Sequence, residues 1–176
     1  PGEEGTVTFQ YTITDGDGDP STATVTITLL KDSEPRVDVS GENFVDEAGL
    51  PARGSEPEGS NEESGSETTG GTIAISTGGD TLQSLVINGT NVTAGGTVTG
   101  AHGTLIVTVS EGAYSYSYTL TDNTSGEGTS DSFNVVVTDS DGDSANDTLV
   151  IGIHDDAPTA IKDADNIAAG EYGPAT

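Results

Sequence analysis

One hairpin is written into this chain twice. Residues 7–35 read VTFQYTITDGDGDPSTATVTITLLKDSEP, and residues 131–158 read DSFNVVVTDSDGDSANDTLVIGIHDDAP. Each copy runs from an alternating strand into T-D-x-D-G-D, out along a second alternating strand, and stops at an acidic pair or near-pair followed by proline. Asp15 maps onto Asp139, 124 positions on, and Pro35 onto Pro158, 123 positions on. A repeat at this spacing constrains the fold strongly, because each copy must serve the same structural purpose in a tandem array.

The pattern between the copies is also that of strands. Val7, Phe9, Tyr11 and Ile13 alternate with polar residues, as do Val25, Ile27 and Leu29 after the turn. This period of two marks strands with one buried face. Ile73 and Ile75, then Leu82, Leu85 and Ile87, lead to an Asn88-Gly89 turn, with strands expected from Thr72 onward. Leu105, Val107 and Val109 face Tyr114, Tyr116, Tyr118 and Leu120 across the turn Ser110-Glu111-Gly112-Ala113. The tyrosines share a face with Leu120, which favours packing in a core over an exposed sugar platform. Phe133, Val135 and Val137, then Leu149, Ile151 and Ile153, form the last hairpin. No window carries a helical period. Short strands between turn signals point to an all-β, antiparallel sandwich.

The repeat sets the expected domains. Residues 36–157 make one full period, with a short strand and an acidic turn in 36–50. Residues 1–35 are the closing hairpin of the preceding repeat, or a docked part of the same domain. Residues 158–176 begin the next repeat or linker. Within the full period, residues 54–70 hold five Glu and no Asp, and no apolar side chain. This composition predicts a flexible, solvated acidic loop.

Charge narrows the partners. The 176 residues carry 30 acidic side chains against Lys31, Arg36, Arg53 and Lys162, a net charge of −26. Such a chain repels nucleic acid and anionic lipid, and attracts divalent cations. It contains no cysteine, which excludes disulfides, thiolate metal sites and cysteine nucleophiles. No apolar run is long enough to span a membrane. His102 and His154 are the only histidines. They read as a turn residue and a strand-end residue, and with no nucleophile elbow or metalloprotease motif present the chain is expected not to be an enzyme.

The chemistry lies in the repeated turn. Asp139, Asp141 and Asp143 place carboxylates at alternate positions around a glycine, and Asp15, Asp17 and Asp19 do the same. Calcium takes six to eight oxygen ligands, so five residues supply only part of a site, and other segments must contribute. The repeat ends are the first candidates: Asp32 with Glu34, and Asp155 with Asp156. Asp46, Glu47 and Asp122 are weaker ones. The spacing is not that of an EF-hand, since Ser144 stands where the sixth-position glycine belongs, two places after Gly142, and Val150 where the twelfth-position glutamate belongs. Asp-Gly turns are also good hairpin turns in their own right. Their recurrence beside acidic junctions is what favours calcium.

T-D-x-D-G-D followed by an alternating strand and D-D-A-P-T-A at 155–160 resembles the repeat units of giant bacterial RTX adhesins exported by type I secretion. G-T-L-x-V at 103–107 and G-A-Y-S-Y-S-Y-T-L at 112–120 are similar to the VCBS-like repeats of the same proteins. The G-G-x-G-x-D nonapeptide of the RTX β-roll is absent, and the Glu-rich 54–70 segment departs from the pattern. The resemblance implies Ig-like or cadherin-like sandwiches strung into an extracellular stalk on the bacterial surface. It implies calcium at turns and linkers, with attachment and biofilm formation mediated by domains elsewhere. By motif, Asp15, Asp17, Asp19, Asp139, Asp141 and Asp143 take the ligand role, and Asp32, Glu34, Asp155 and Asp156 the junction role. The expected partners are calcium ions and neighbouring repeats of the same polypeptide, around a monomeric module. An alternative is a module that binds carbohydrate or protein through surface loops, with the tyrosine strand as a further contact, a reading that gains if Tyr114, Tyr116 and Tyr118 are exposed on one face.

Overall fold

A computed structural model describes residues 4–41, 43–126 and 128–156. The expected start of a further repeat at 158–176, and Pro158 with it, lies outside the described residues. Among the described residues there are twelve β-strands and two short 3-10 turns, and no α-helix.

Strands β1 (Gly5–Thr14) and β2 (Pro20–Leu29) form a two-stranded sheet of their own. The others build a sandwich of two five-stranded sheets. One holds β3 (Arg36–Gly41), β5 (Thr68–Ser76), β10 (Ala113–Leu120), β9 (Gly103–Ser110) and β8 (Gly96–Thr99), in that order. The other holds β4 (Phe44–Asp46), β12 (Ser144–His154), β11 (Thr129–Asp139), β6 (Leu82–Ile87) and β7 (Thr90–Asn91). All pairings are antiparallel except β4 with β12. The chain therefore changes sheets between β3 and β4, so that this stretch pairs with both layers.

Alternation puts the two inner faces together. Leu105, Val107, Tyr116, Tyr118 and Leu120 from one sheet meet Leu85, Ile87, Phe133, Val135, Leu149 and Ile151 from the other, all buried. Tyr118 and Phe133 meet edge-on across the layers, with ring centroids 6.0 Å apart. Each such buried side chain is worth about 1.5–3 kcal/mol relative to exposure. Tyr116 and Tyr118 belong to the core, and Tyr114 is half-buried against it.

Two details differ from the sequence reading. Strand β5 starts at Thr68, not Thr72. Its first residues lack apolar side chains but pair with β10, Thr69 lying opposite Tyr118. The 54–70 segment is hydrogen-bonded to its surroundings: Gly59 N–H donates to Leu50, Asn61 N–H to Ala48, and Asp46 N–H to Ser66. Two 3-10 turns flank it or lie within it, at Glu47–Gly49 and Glu62–Ser64.

The sandwich has distinct poles. Arg36 at the start of β3 pairs with Ser76 at the end of β5, next to the β11–β12 turn. Strand β12 then runs 11 residues away from that pole to His154, about 33 Å at a strand's rise per residue. The chain enters the sandwich at one pole and leaves it at the other.

Candidate cation site

The β11–β12 turn is built by its first aspartate. Asp139 N–H donates to the Asp143 carbonyl at 3.0 Å. Asp139 Oδ1 accepts from the N–H groups of Gly142 and Asp143 at 3.1 and 2.9 Å. Gly142 has φ of 104°, a conformation that a side chain disfavours. In D-x-D-G-D, then, the first Asp and the Gly make the turn.

Asp139 lies in phase with Phe133, Val135 and Val137 on the buried face of β11, beside a register shift between Thr138 and Asp139 in the pairing with β6. Asp139 is fully buried, and its second oxygen, Oδ2, has no hydrogen-bond partner. One carboxylate oxygen each from Asp80, Asp139 and Asp141 lies within 4.8 Å of the others. Asp32, Asp141 and Asp143 form a second such group. Asp141 belongs to both, so five carboxylates from three segments converge on one pole.

The third segment, the linker before β3, is held in place by hydrogen bonds. Ser33 Oγ lies 2.8 Å from Asp80 Oδ2 and 3.0 Å from the Thr77 carbonyl, and it accepts from Gly79 N–H at 3.0 Å. Asp32 Oδ1 accepts from Ser33 N–H at 3.1 Å. Gly78 packs on Ser33 so closely that a Cβ there would collide with it. These contacts clip the incoming chain onto the β5–β6 loop.

A buried carboxylate oxygen without a donor is costly unless a cation or proton meets it. Oxygen-only ligands at this spacing suit a hard divalent ion, so this donor set fits calcium. Asp32, Asp139, Asp141 and Asp143 are the sequence candidates brought together. Asp80 joins them from the loop Thr77–Asp80, where no sequence motif marks it.

The other candidates lie elsewhere. Asp15, Asp17 and Asp19 form a close group of their own, but all three are exposed. Their turn copies the other: Asp15 Oδ1 accepts from Asp17, Gly18 and Asp19 N–H at 3.3, 3.1 and 2.8 Å. Hydrogen bonding with the Asp17 side chain, then with Asp19 N–H, holds the Asp15 carboxyl below its ordinary range. Glu34 is exposed and belongs to none of these groups.

The junction acids Asp155 and Asp156 sit at the opposite pole, in a cleft with Glu47 and Arg53. Asp156 accepts from Ser60 N–H and Oγ, both at 2.7 Å. Glu47 is buried and accepts from Thr124 N–H and Oγ1, both at 2.6 Å. Asp46 caps the first 3-10 turn through Ala48 N–H. Asp122 lies 3.8 Å from Arg53. Asp156, Glu47, Asp46 and Asp122 therefore each have a protein partner, while Asp155 only lines the cleft.

A third buried carboxylate, after Asp139 and Glu47, escaped the sequence reading. Asp131 is 2% exposed. It accepts from the N–H groups of Ala101, His102 and Gly103 and from the Tyr118 hydroxyl at 2.8 Å. Burial, with the Asp131 hydrogen bond and charge added, raises the Tyr118 pKa far above its ordinary value. Gly103 lies against the Tyr118 ring, too close for a Cβ. This unit accounts for Gly103 of G-T-L and Tyr118, the last tyrosine of G-x-Y-x-Y-x-Y, as packing residues around a satisfied carboxylate.

The family described as Bacterial Ig domain matches residues 1–28. That match covers the β1–β2 hairpin and supports an Ig-like repeat. A comparison with curated proteins finds no match.

Proposed function

We propose that the chain is a calcium-rigidified extender module of a secreted bacterial surface adhesin, spacing ligand-binding domains from the cell for attachment and biofilm formation. The observation that carries this reading is the buried, donor-less Asp139 Oδ2 in a cluster of five acids at the pole where the chain enters the sandwich. Asp80, Asp139 and Asp141, with Asp32 and Asp143, would hold the ion. Bound there, calcium would neutralise mutually repelling carboxylates and tie the linker to the sandwich. A sandwich entered at one pole and left at the other suits a module that passes length along an array. Extracellular placement accords with the Ig-like fold.

The alternative binding module gains nothing from the tyrosine strand, since Tyr116 and Tyr118 are core residues. Thermal unfolding with calcium, magnesium and chelator tests the proposal, alongside small-angle scattering of two or more tandem repeats. Calcium is expected to raise the melting temperature and lengthen the tandem particle. Identical melts and identical particle dimensions with calcium and chelator would overturn it.

A further inference from the structure

The β1–β2 hairpin carries an apolar face with nothing on it. Its strands pair only with each other, and Phe9, Tyr11 and Ile13 are 56%, 54% and 64% exposed. The register sets Val7 opposite Ile27 and Phe9 opposite Val25, so the apolar side chains of both strands share one face. The other face is almost entirely threonine. Two strands alone are marginal in water, and a continuous apolar face on an acidic chain marks an interaction surface.

What fits this face can be read from the same molecule. All ten Cα pairs of β1–β2 recur in β11–β12, displaced by 124 residues. Gly5↔Leu29 becomes Thr129↔Ile153, Phe9↔Val25 becomes Phe133↔Leu149, and Thr14↔Pro20 becomes Thr138↔Ser144. The turn hydrogen bonds recur too, Asp15 N–H to Asp19 as Asp139 N–H to Asp143. In the second copy the equivalent face is fully buried: Phe133, Val135 and Val137 are each 0% exposed. It is covered by the opposite sheet and flanked at its edges by β6 and β4. The Bacterial Ig domain match at residues 1–28 falls on the uncovered hairpin, which supplies two strands of a fold that needs two sheets.

We propose that the apolar face of β1–β2 is the docking surface for the two-sheet body of another Ig-like repeat, of the kind residues 36–130 form here, with β1 and β2 as its last two strands. The fit is selective. Val7 occupies the position of Asp131, whose carboxylate meets three N–H groups and the Tyr118 hydroxyl. The body that suits β1–β2 is therefore apolar where this one presents donors. The inference does not depend on the calcium reading.

Hydrogen exchange on the whole chain, alone and extended, tests it. In the chain alone, β1–β2 amides are expected to exchange at least a hundredfold faster than β11–β12 amides. The extended chain places a copy of residues 36–130 directly ahead of residue 7 and carries Val7→Asp to satisfy the copied donors. There the β1–β2 amides are expected to slow by at least tenfold, with a smaller effect when Val7 is retained. A control extension using residues 131–154 in place of 7–30 must fold, which establishes that the junction is tolerated. Unchanged β1–β2 exchange beside a folded control would overturn the proposal. Protection in the unextended chain that rises with protein concentration would also overturn it, since it would identify a second copy as the occupant.

Discussion

Replacing Asp139 with asparagine should stabilise the chain in chelator and abolish its response to calcium. Oδ1 of Asp139 holds the turn through Gly142 and Asp143, while Oδ2 is buried without a donor. Asparagine keeps one oxygen for the turn and places a neutral amide beside Asp80 and Asp141, whose carboxylates can accept from it. Relief of a buried, unsatisfied charged group is worth about 1–3 kcal/mol. The variant should therefore melt above wild type when no cation is present. Calcium sites in extracellular modules have dissociation constants of about 10⁻⁴–10⁻³ M. About 10 mM calcium then exceeds Kd by about 10–100-fold and stabilises the native state by about 1.4–2.7 kcal/mol. At about 2–4 °C per kcal/mol for a chain of this size, wild type should gain about 3–11 °C. Asp139→Asn should gain almost nothing. Differential scanning calorimetry in chelator and in calcium, with magnesium as a control, measures all of these values. A variant that melts below wild type in chelator would refute the argument that Oδ2 is an uncompensated charge. A variant whose calcium shift matches wild type would remove Asp139 from the site.

Asp141→Asn should weaken calcium binding by titration calorimetry, because Asp141 belongs to both carboxylate groups, whereas Asp17→Asn on the exposed turn should leave that site's affinity unchanged. Asp131→Ala should cost about 3–5 kcal/mol in urea unfolding by stranding buried donors, and Asp131→Asn about 1–3 kcal/mol. An alanine cost under about 1 kcal/mol would show that water satisfies the Ala101–Gly103 turn. The raised Tyr118 pKa means that the folded state keeps a proton the unfolded state loses above about pH 10. Stability should fall as pH rises past that point, and Tyr118→Phe should flatten the fall. Equal slopes for wild type and variant would contradict this assignment.

The hairpins were legible in the sequence because two independent signals agree in them: alternation fixes the buried face, and the Asp-Gly turn fixes the register. The tyrosine strand was legible for the same reason. Asp80 was not, since a single aspartate in T-G-G-D-T carries no local pattern, and its relevance arises only when β6 pairs with β11. Asp131 could have been found. It falls in phase with Phe133, Val135 and Val137, on the buried face of β11, and an acid in the core phase must have donors waiting. The same test marks Asp139, at the other end of that phase, as buried. Strand β4 was obscure because three residues beside a sheet change hold no periodicity. The early start of β5 was obscure because backbone pairing, not side-chain burial, holds Thr68–Gly71.

Asp32 and Asp156 occupy the same place in the two hairpins, 124 residues apart, and they meet different surroundings. Asp32 lies with Asp141 and Asp143 of the sandwich that follows it, while Asp156 is bonded to Ser60 of its own sandwich. If β1–β2 closes another repeat, as proposed, the hairpin that ends one unit delivers an acid to the turn of the next. Under the proposed function the joint is built from two units, and neither supplies it alone: Asp32 comes from one side, and Asp80, Asp139, Asp141 and Asp143 from the other. At a net charge of −26 such a joint is self-repelling until a cation enters it, and buried or partly buried charges well within a Debye length of one another are screened only in part by salt. Stiffness in an array of these units then follows calcium at every junction, whereas each sandwich keeps its own apolar core. The repeated D-x-D-G-D accordingly has two separable duties. Its first Asp and its Gly close a hairpin in both copies. Its remaining carboxylates gain a second role only where a linker and a β5–β6 loop arrive beside them, as they do at Asp139 and do not at Asp15.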